Sequence, residues 1–319
     1  MVLHLPQLRS IAFALSNTMC GIVGLFFKNP AFEPELGHYF SAMLDSMSSR
    51  GPDSAGFAIY GDEAPAGCLK LTLHHPDEQF DWAALAGEMS HRFQEQPDLK
   101  VNATHARVVL PAAEPDVRAW VRERFPSVTV MSAGRRIEIM KEVGAPASVL
   151  ARFNVRHMTG SHAIGHTRMA TESAVTTAGS HPFSTGPDLC LVHNGSLSNH
   201  NRLRTQLQRS GIEFRTDNDS EVAAGYLTWR LAQGASLKEA LEAALHDLDG
   251  LYTFTIGTCD GFAVLRDPIA CKPAVMAETD DYVAMASEYR SLVGLPGIER
   301  AHLWEPEPAT VYSWTTSRN

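Results

Sequence analysis

The chain is short of cysteine, of long apolar runs and of positive charge, and each shortage removes a class of protein. Its five cysteines (Cys20, Cys68, Cys190, Cys259, Cys271) form no CxxC pair and no metal-type spacing, so neither a zinc site nor an iron–sulfur ligand set is expected within it. An odd, scattered set of thiols suits a reducing compartment, and the expected location is cytoplasmic. No stretch approaches the roughly 18 uninterrupted apolar residues of a membrane helix. The formal net charge of −9 argues against nucleic acid or an anionic membrane as main partner. No glycine-rich phosphate loop is present to bind flavin or nucleotide. What remains is 319 residues, 44% hydrophobic and 20% charged, enough for a sizeable core in one large domain or two smaller ones.

The stretch Thr18-Met19-Cys20-Gly21-Ile22-Val23-Gly24-Leu25 organises the reading. A chain trimmed to begin at Cys20 would carry a thiol and a free α-amine on one residue. The amine, with a pKa of about 8, can take the thiol's proton directly or through a water. Nucleophile and base would then be one residue. The competing reading is a buried core cysteine at a strand start. Residues 1–19 match a signal peptide poorly, because the basic region is thin and no cleavage site is convincing. Either Met19 is the true start and its removal exposes Cys20, or residues 1–19 are a propeptide.

Beyond Cys20 a buried strand runs to Phe27, and Leu36, Phe40, Met43, Leu44 and Met47 form a helical stripe within 33–49. A polar turn, Arg50 to Gly56, leads to a strand over Phe57–Tyr60. Between residues 67 and 160, strands and helices alternate as in a small α/β insertion: strands at 69–73, 101–110 and 127–140, helices at 80–94 and 116–124. His105, His157 and His162 are of ligand type, but surface or satisfied core histidines are commoner. The next strand delivers Arg168, whose planar fork suits a carboxylate such as that of a free amino acid. Strand Leu189–Val192 is read as ending in His193-Asn194-Gly195. The Asn amide and the Gly N–H are either two oxyanion donors or an ordinary β-turn. Asp219 or Ser220 either caps the helix that follows or, for Asp219, faces a substrate ammonium. Helices over 199–210 and 237–248, the latter with a Ser236–Glu239 capping box, and strands at 251–257, 262–266, 273–277, 282–287 and 310–314 complete the pattern. Helices outside two antiparallel sheets would satisfy it.

In order, Met19-Cys20-Gly21-Ile22-Val23-Gly24, Arg50-Gly51-Pro52-Asp53-Ser54-Ala55-Gly56, Gly165-His166-Thr167-Arg168-x-Ala170-Thr171, His181-Pro182, His193-Asn194-Gly195 and Asp219-Ser220-Glu221 resemble the class II glutamine amidotransferases. Arg266-Asp267-Pro268, Lys272-Pro273 and Ser287-Glu288 are similar to that family's later strands. The resemblance implies an α+β fold, the four-layer αββα sandwich of N-terminal-nucleophile hydrolases, over residues 20–319 with an insertion at about 67–160. It implies Cys20 as nucleophile, its amine as base, Asn194 and Gly195 as oxyanion hole, Arg168 on the glutamine α-carboxylate and Asp219 on the α-ammonium. Thr171 would line the glutamine pocket and Arg50 would support the site. Glu172 stands where sugar-phosphate amidotransferases have a histidine, and almost no chain follows the domain. The chain therefore looks most like the free-standing amidotransferase subunit of glutamate-synthase-type enzymes, including N-methylglutamate synthase. That implies a hetero-oligomer, with no cofactor in this chain and with flavin and an iron–sulfur cluster on the partner synthase subunit that accepts ammonia. The alternative is a non-catalytic scaffold or regulatory subunit of the same fold.

Overall fold

The computed structural model describes residues 20–169 and 175–316. The chain enters through β1 (Gly21–Phe27), crosses a 3-10 turn and helix α1 (Leu36–Ser46), and returns in β2 (Ser54–Tyr60). An excursion follows through β3 (Leu69–His74), α2 (Trp82–Phe93), β4 (Asp98–Asn102), β5 (His105–Leu110), α3 (Glu114–Arg124) and β6 (Thr129–Gly134). Then come β7 (Ile137–Val143), α4 (Pro146–Arg152), β8 (His162–Arg168), β9 (Phe183–Gly186) and β10 (Leu189–Leu197). Helices α5 (His200–Arg209), α6 (Asp219–Ala232) and α7 (Leu237–Asp247) precede β11 (Gly250–Gly257), β12 (Gly261–Arg266), β13 (Val275–Glu278), β14 (Tyr282–Ala286), β15 (His302–Trp304) and β16 (Val311–Thr315).

Among the described residues three sheets form: a seven-stranded one ordered β15-β13-β14-β1-β8-β2-β7, a five-stranded one ordered β16-β12-β11-β10-β9, and a four-stranded one ordered β4-β5-β3-β6. Period-two alternation assigns the faces. On β1, Ile22 and Phe26 join Phe262 and Val264 of β12 and Val192 of β10 in a core between the two larger sheets. Val23, Leu25 and Phe27 point the other way, onto α1 and α4. The outer face of the five-stranded sheet is covered by α5, α6 and α7 through Leu203, Leu207, Val222, Tyr226 and Leu241. Three apolar cores separate four layers, helix–sheet–sheet–helix, and the chain has the αββα sandwich of the N-terminal-nucleophile hydrolases. The stripe expected on α1 is buried at every position, Leu36 through Met47.

The four-stranded sheet and its two helices have a core of their own, built on Leu71, Leu85, Met89, Val108 and Val121. It closes at Gly134, well before residue 160. β7 pairs with β2 as the edge of the large sheet, and Val149 and Leu150 of α4 belong to its helix-side core. The run read as one strand over 127–140 is β6 and β7 with a turn between. That turn is pinned to the five-stranded sheet by Asp188, whose carboxylate accepts from the N–H groups of Arg135 (2.7 Å), Arg136 (2.8 Å) and Ile137 (3.0 Å). The strand read over 101–110 is likewise a hairpin, β4 and β5.

Gly24 leaves room for the Phe262 ring, since a Cβ there would lie 2.5 Å from Phe262 Cε2. Phe262→Ala empties the centre of the inter-sheet core and should cost about 3–5 kcal/mol in chemical denaturation. A loss below about 1 kcal/mol would contradict this assignment of the core.

Candidate active site

The inter-sheet face that carries Ile22 also carries Cys20, two residues earlier. On β8 the face of Ile164 leads to His166 and Arg168, and on β10 the face of Cys190 and Val192 leads to Asn194. Because β1 pairs with β8 antiparallel, Gly21 against Thr167, the start of one strand lies beside the end of the other. Cys20, Arg168 and Asn194 therefore meet where the apolar inter-sheet core gives out.

Cys20 is partly exposed, with its Sγ 3.9 Å from the carbonyl oxygen of Met169. Its own carbonyl oxygen accepts from Asn194 Nδ2 at 3.2 Å and from Arg50 Nε at 3.3 Å. Arg50, 5% exposed, is paired with Glu288 Oε1 at 2.6 Å, and Ser287 Oγ takes the N–H of Ile22 at 3.0 Å. Gly51 follows where a Cβ would sit 2.3 Å from the Thr167 carbonyl carbon, so the turn from α1 into β2 lies flat against β8.

Asn194 and Gly195 are not at a strand end. β10 continues to Leu197 in register with β11, Asn194 opposite Thr253 and Gly195 opposite Tyr252. A Cβ on Gly195, whose φ is +151°, would fall 1.8 Å from the Leu251 carbonyl oxygen, so no other residue fits. Asp219 is the first residue of α6, and Asn218 is the cap, its side chain accepting from Ser220 N. Asp219 Oδ2 accepts from Leu197 N at 2.8 Å, which ties the head of α6 to the end of β10. Arg168 Nη1 donates to the Gly179 carbonyl at 3.3 Å, and Asn218 Nδ2 donates to the same oxygen at 3.4 Å. One carbonyl thus joins the arginine to the residue beside Asp219. Thr171 lies outside the described residues.

Beside these groups lie three buried histidines that the sequence did not bring together. His166 and His181 stack with ring centroids 4.0 Å apart, and His193 donates to or accepts from Ser220 Oγ at 2.9 Å. Burial lowers all three pKa values, that of His166 to about 3. For His193 the Asp219 carboxylate opposes the burial effect. Of the histidines considered in the sequence, His105 and His162 are buried and His157 is exposed. Among the described residues no group of three His, Cys, Asp or Glu is placed to hold a metal, and no helix is long and apolar enough to cross a membrane.

A glutamine amidotransferase domain matches residues 166–294. The chain is 59% identical over 297 residues to the glutamine amidotransferase-like protein GlxB of Rhizobium meliloti, covering 93% of this chain and 98% of that one. It is 32% identical to a putative glutamine amidotransferase of Methanothermobacter thermautotrophicus, over 92% and 99% of the two chains. Among solved structures, the allosteric regulatory enzyme of purine biosynthesis superposes with a TM-score of 0.59 at 21% identity, and the glutamine phosphoribosylpyrophosphate amidotransferase of B. subtilis with 0.55 at 19%. Each likeness covers 94% of this chain, which spans half the length of those two structures, and it extends to the fold alone. A four-layer sandwich of the N-terminal-nucleophile type, with a cysteine heading its central strand, defines the class. The chain belongs to the glutamine amidotransferase family, class II.

The histidines set an acid limit. Each is neutral when folded, so between pH 6.5 and the lowered pKa only the unfolded chain binds the proton, and stability falls with falling pH by about 1.4 kcal/mol per unit for each group. The unfolding midpoint should begin to drop near pH 6.5, well before carboxylates titrate. A midpoint flat from pH 6.5 to 5 would contradict the burial of these rings as neutral groups.

Proposed function

We propose that the protein hydrolyses the side-chain amide of glutamine through Cys20, and that the mature chain begins there. The observation that carries this reading is the pair of donors, Arg50 from the turn between α1 and β2 and Asn194 from β10, converging on the Cys20 carbonyl. They fix the carbonyl end of Cys20 at the edge of the inter-sheet core, where the reading has thiol and freed α-amine act together.

In this reading the α-amine takes the thiol proton and the thiolate attacks Cδ of glutamine. The negative charge that develops on the amide oxygen is met by Asn194 and the Gly195 N–H. Asn194 Nδ2 carries two hydrogens: one engages the Cys20 carbonyl and sets the amide plane, leaving the second to offer. As the C–N bond breaks, the protonated amine returns its proton to the leaving nitrogen. Ammonia departs and a γ-glutamyl thioester remains. Water, deprotonated by the same amine, releases glutamate and restores the thiol. Arg168 binds the α-carboxylate and Asp219 the α-ammonium, opposite charges suited to an amino-acid zwitterion. Arg50 supports Cys20.

Ammonia passes to a partner synthase subunit of glutamate-synthase or N-methylglutamate-synthase type, which carries the flavin and the iron–sulfur cluster, in a cytoplasmic hetero-oligomer. Supporting a separate acceptor is the similarity to GlxB along 98% of that protein's length, which leaves hardly any of it outside the match.

Glutaminase assays test the chemistry. Cys20→Ala should abolish turnover, and Asn194→Ala should lower kcat about 10²–10³-fold with little change in KM. Asp219→Asn should chiefly raise KM. Glutamine hydrolysis that survives Cys20→Ala would sink the mechanism.

A further inference from the structure

On edge strand β7 the residues facing the inter-sheet core are Ile137, Ile139 and then Lys141. Register places Lys141 opposite Gly56 on β2, Gly56 opposite His166 on β8, and His166 opposite Ile22 on β1. A lysine thus ends the row of inward-facing positions that runs beside the nucleophile. It is 4% exposed. An inward lysine on an edge strand is a known guard against edge pairing, but that use needs only a charge near solvent. Here the ammonium group is taken up elsewhere.

Lys141 Nζ donates to the carbonyl oxygens of Ser180 (2.7 Å), Ala178 (3.2 Å) and Pro182 (3.2 Å). It also lies 4.6 Å from the centroid of the Phe183 ring. All three ammonium hydrogens grip one stretch, residues 178–182. Burial draws the lysine pKa down from 10.5 to about 7, with Glu221 opposing and Arg215 reinforcing the shift. Desolvating an ammonium costs several kcal/mol before hydrogen bonds offset it, so the position is an expensive one. Gly56 makes the grip possible, since a Cβ there would lie 2.1 Å from the His181 carbonyl oxygen and 2.5 Å from Lys141 Cβ.

Between the gripped carbonyls lies Gly179, the residue whose oxygen accepts from both Arg168 and Asn218. The same stretch is tied to β2 by Ser180 Oγ, 2.9 Å from Ser54 Oγ. We propose that Lys141 is a positioning residue for glutamine: by anchoring residues 178–182 it holds the Gly179 carbonyl where Arg168 and the head of α6 meet, and so sets the spacing of the two groups that receive the amino-acid zwitterion. This rests on the glutaminase reading of the site. Lys141 touches neither the reacting atoms nor the substrate.

Two alkylating agents separate positioning from stability. A glutamine-like diazoketone needs the ordered zwitterion pocket to reach Cys20, whereas iodoacetamide needs only an accessible thiol. In Lys141→Met, which keeps the apolar stem and removes the donors, the diazoketone concentration for half-maximal labelling, and KM for glutamine, should rise about tenfold, as expected for losing one charge-assisted bond's worth of order. Iodoacetamide labelling of Cys20 and kcat should stay within about twofold, well inside that tenfold loss. Lys141→Gln, shorter but with two N–H donors, should fall between the wild type and Lys141→Met, and serves if the Met variant fails to fold. Equal changes with both reagents, or no change with either, would overturn the positioning role. A wild-type Cys20 that shows no preference for the glutamine-like reagent would instead contradict the glutaminase reading, and this inference with it.

Discussion

Two side chains from distant parts of the sequence donate to one oxygen, the carbonyl of Cys20, and the site depends on that convergence. Arg50 reaches it from the turn after α1 and Asn194 from the middle of β10. A single hydrogen bond is worth about 1 kcal/mol net, so these two do not hold the sheets together. The inter-sheet core does that, and the bonds then fix the orientation of the residue at its edge. Arg50 is itself held by Glu288 at the end of the large sheet. The backbone of Cys20 is thus referenced to both large sheets and to the helix layer at once, the rigidity that the proposed nucleophile requires.

The surroundings are close-packed. Gly51 and Gly195 stand where backbone meets backbone with no room for a Cβ, and the neutral histidines fill the space between strands that would otherwise take apolar side chains. A neutral, low-dielectric wall strengthens the field of the charged groups that remain, Arg168 and Asp219 among them. Arg168 and Asn218 share the Gly179 carbonyl, so the two ends of the proposed zwitterion pocket are mechanically joined.

Local patterns were legible in the sequence. The α1 stripe, the capping box of α7 and the apolar run of β1 each depend on residues a few positions apart, and the structure has all of them. So too with the motif residues, whose order gave the four-layer fold and brought Cys20, Arg50 and Asn194 to one place. Illegible were features set by partners far along the chain. β10 extends through His193-Asn194-Gly195 because β11, more than fifty residues later, lines up opposite it. The boundary after β6 escaped notice because β6 and β7 are both apolar strands, and only their pairing assigns them to different sheets. His166, His181 and His193 stand in three separate motifs, and nothing in the sequence around Lys141 links it to them; their proximity exists only once the strands are paired and the sheets stacked.

The claim that most needs testing is that Cys20 supplies its own base. Intact mass and N-terminal sequence should be measured on glutaminase-active protein purified untagged from its native host. The account predicts a chain that starts at Cys20, with its α-amine free. Active protein that still carries residues ahead of Cys20 would have only a peptide nitrogen there, and the account of the nucleophile would be wrong.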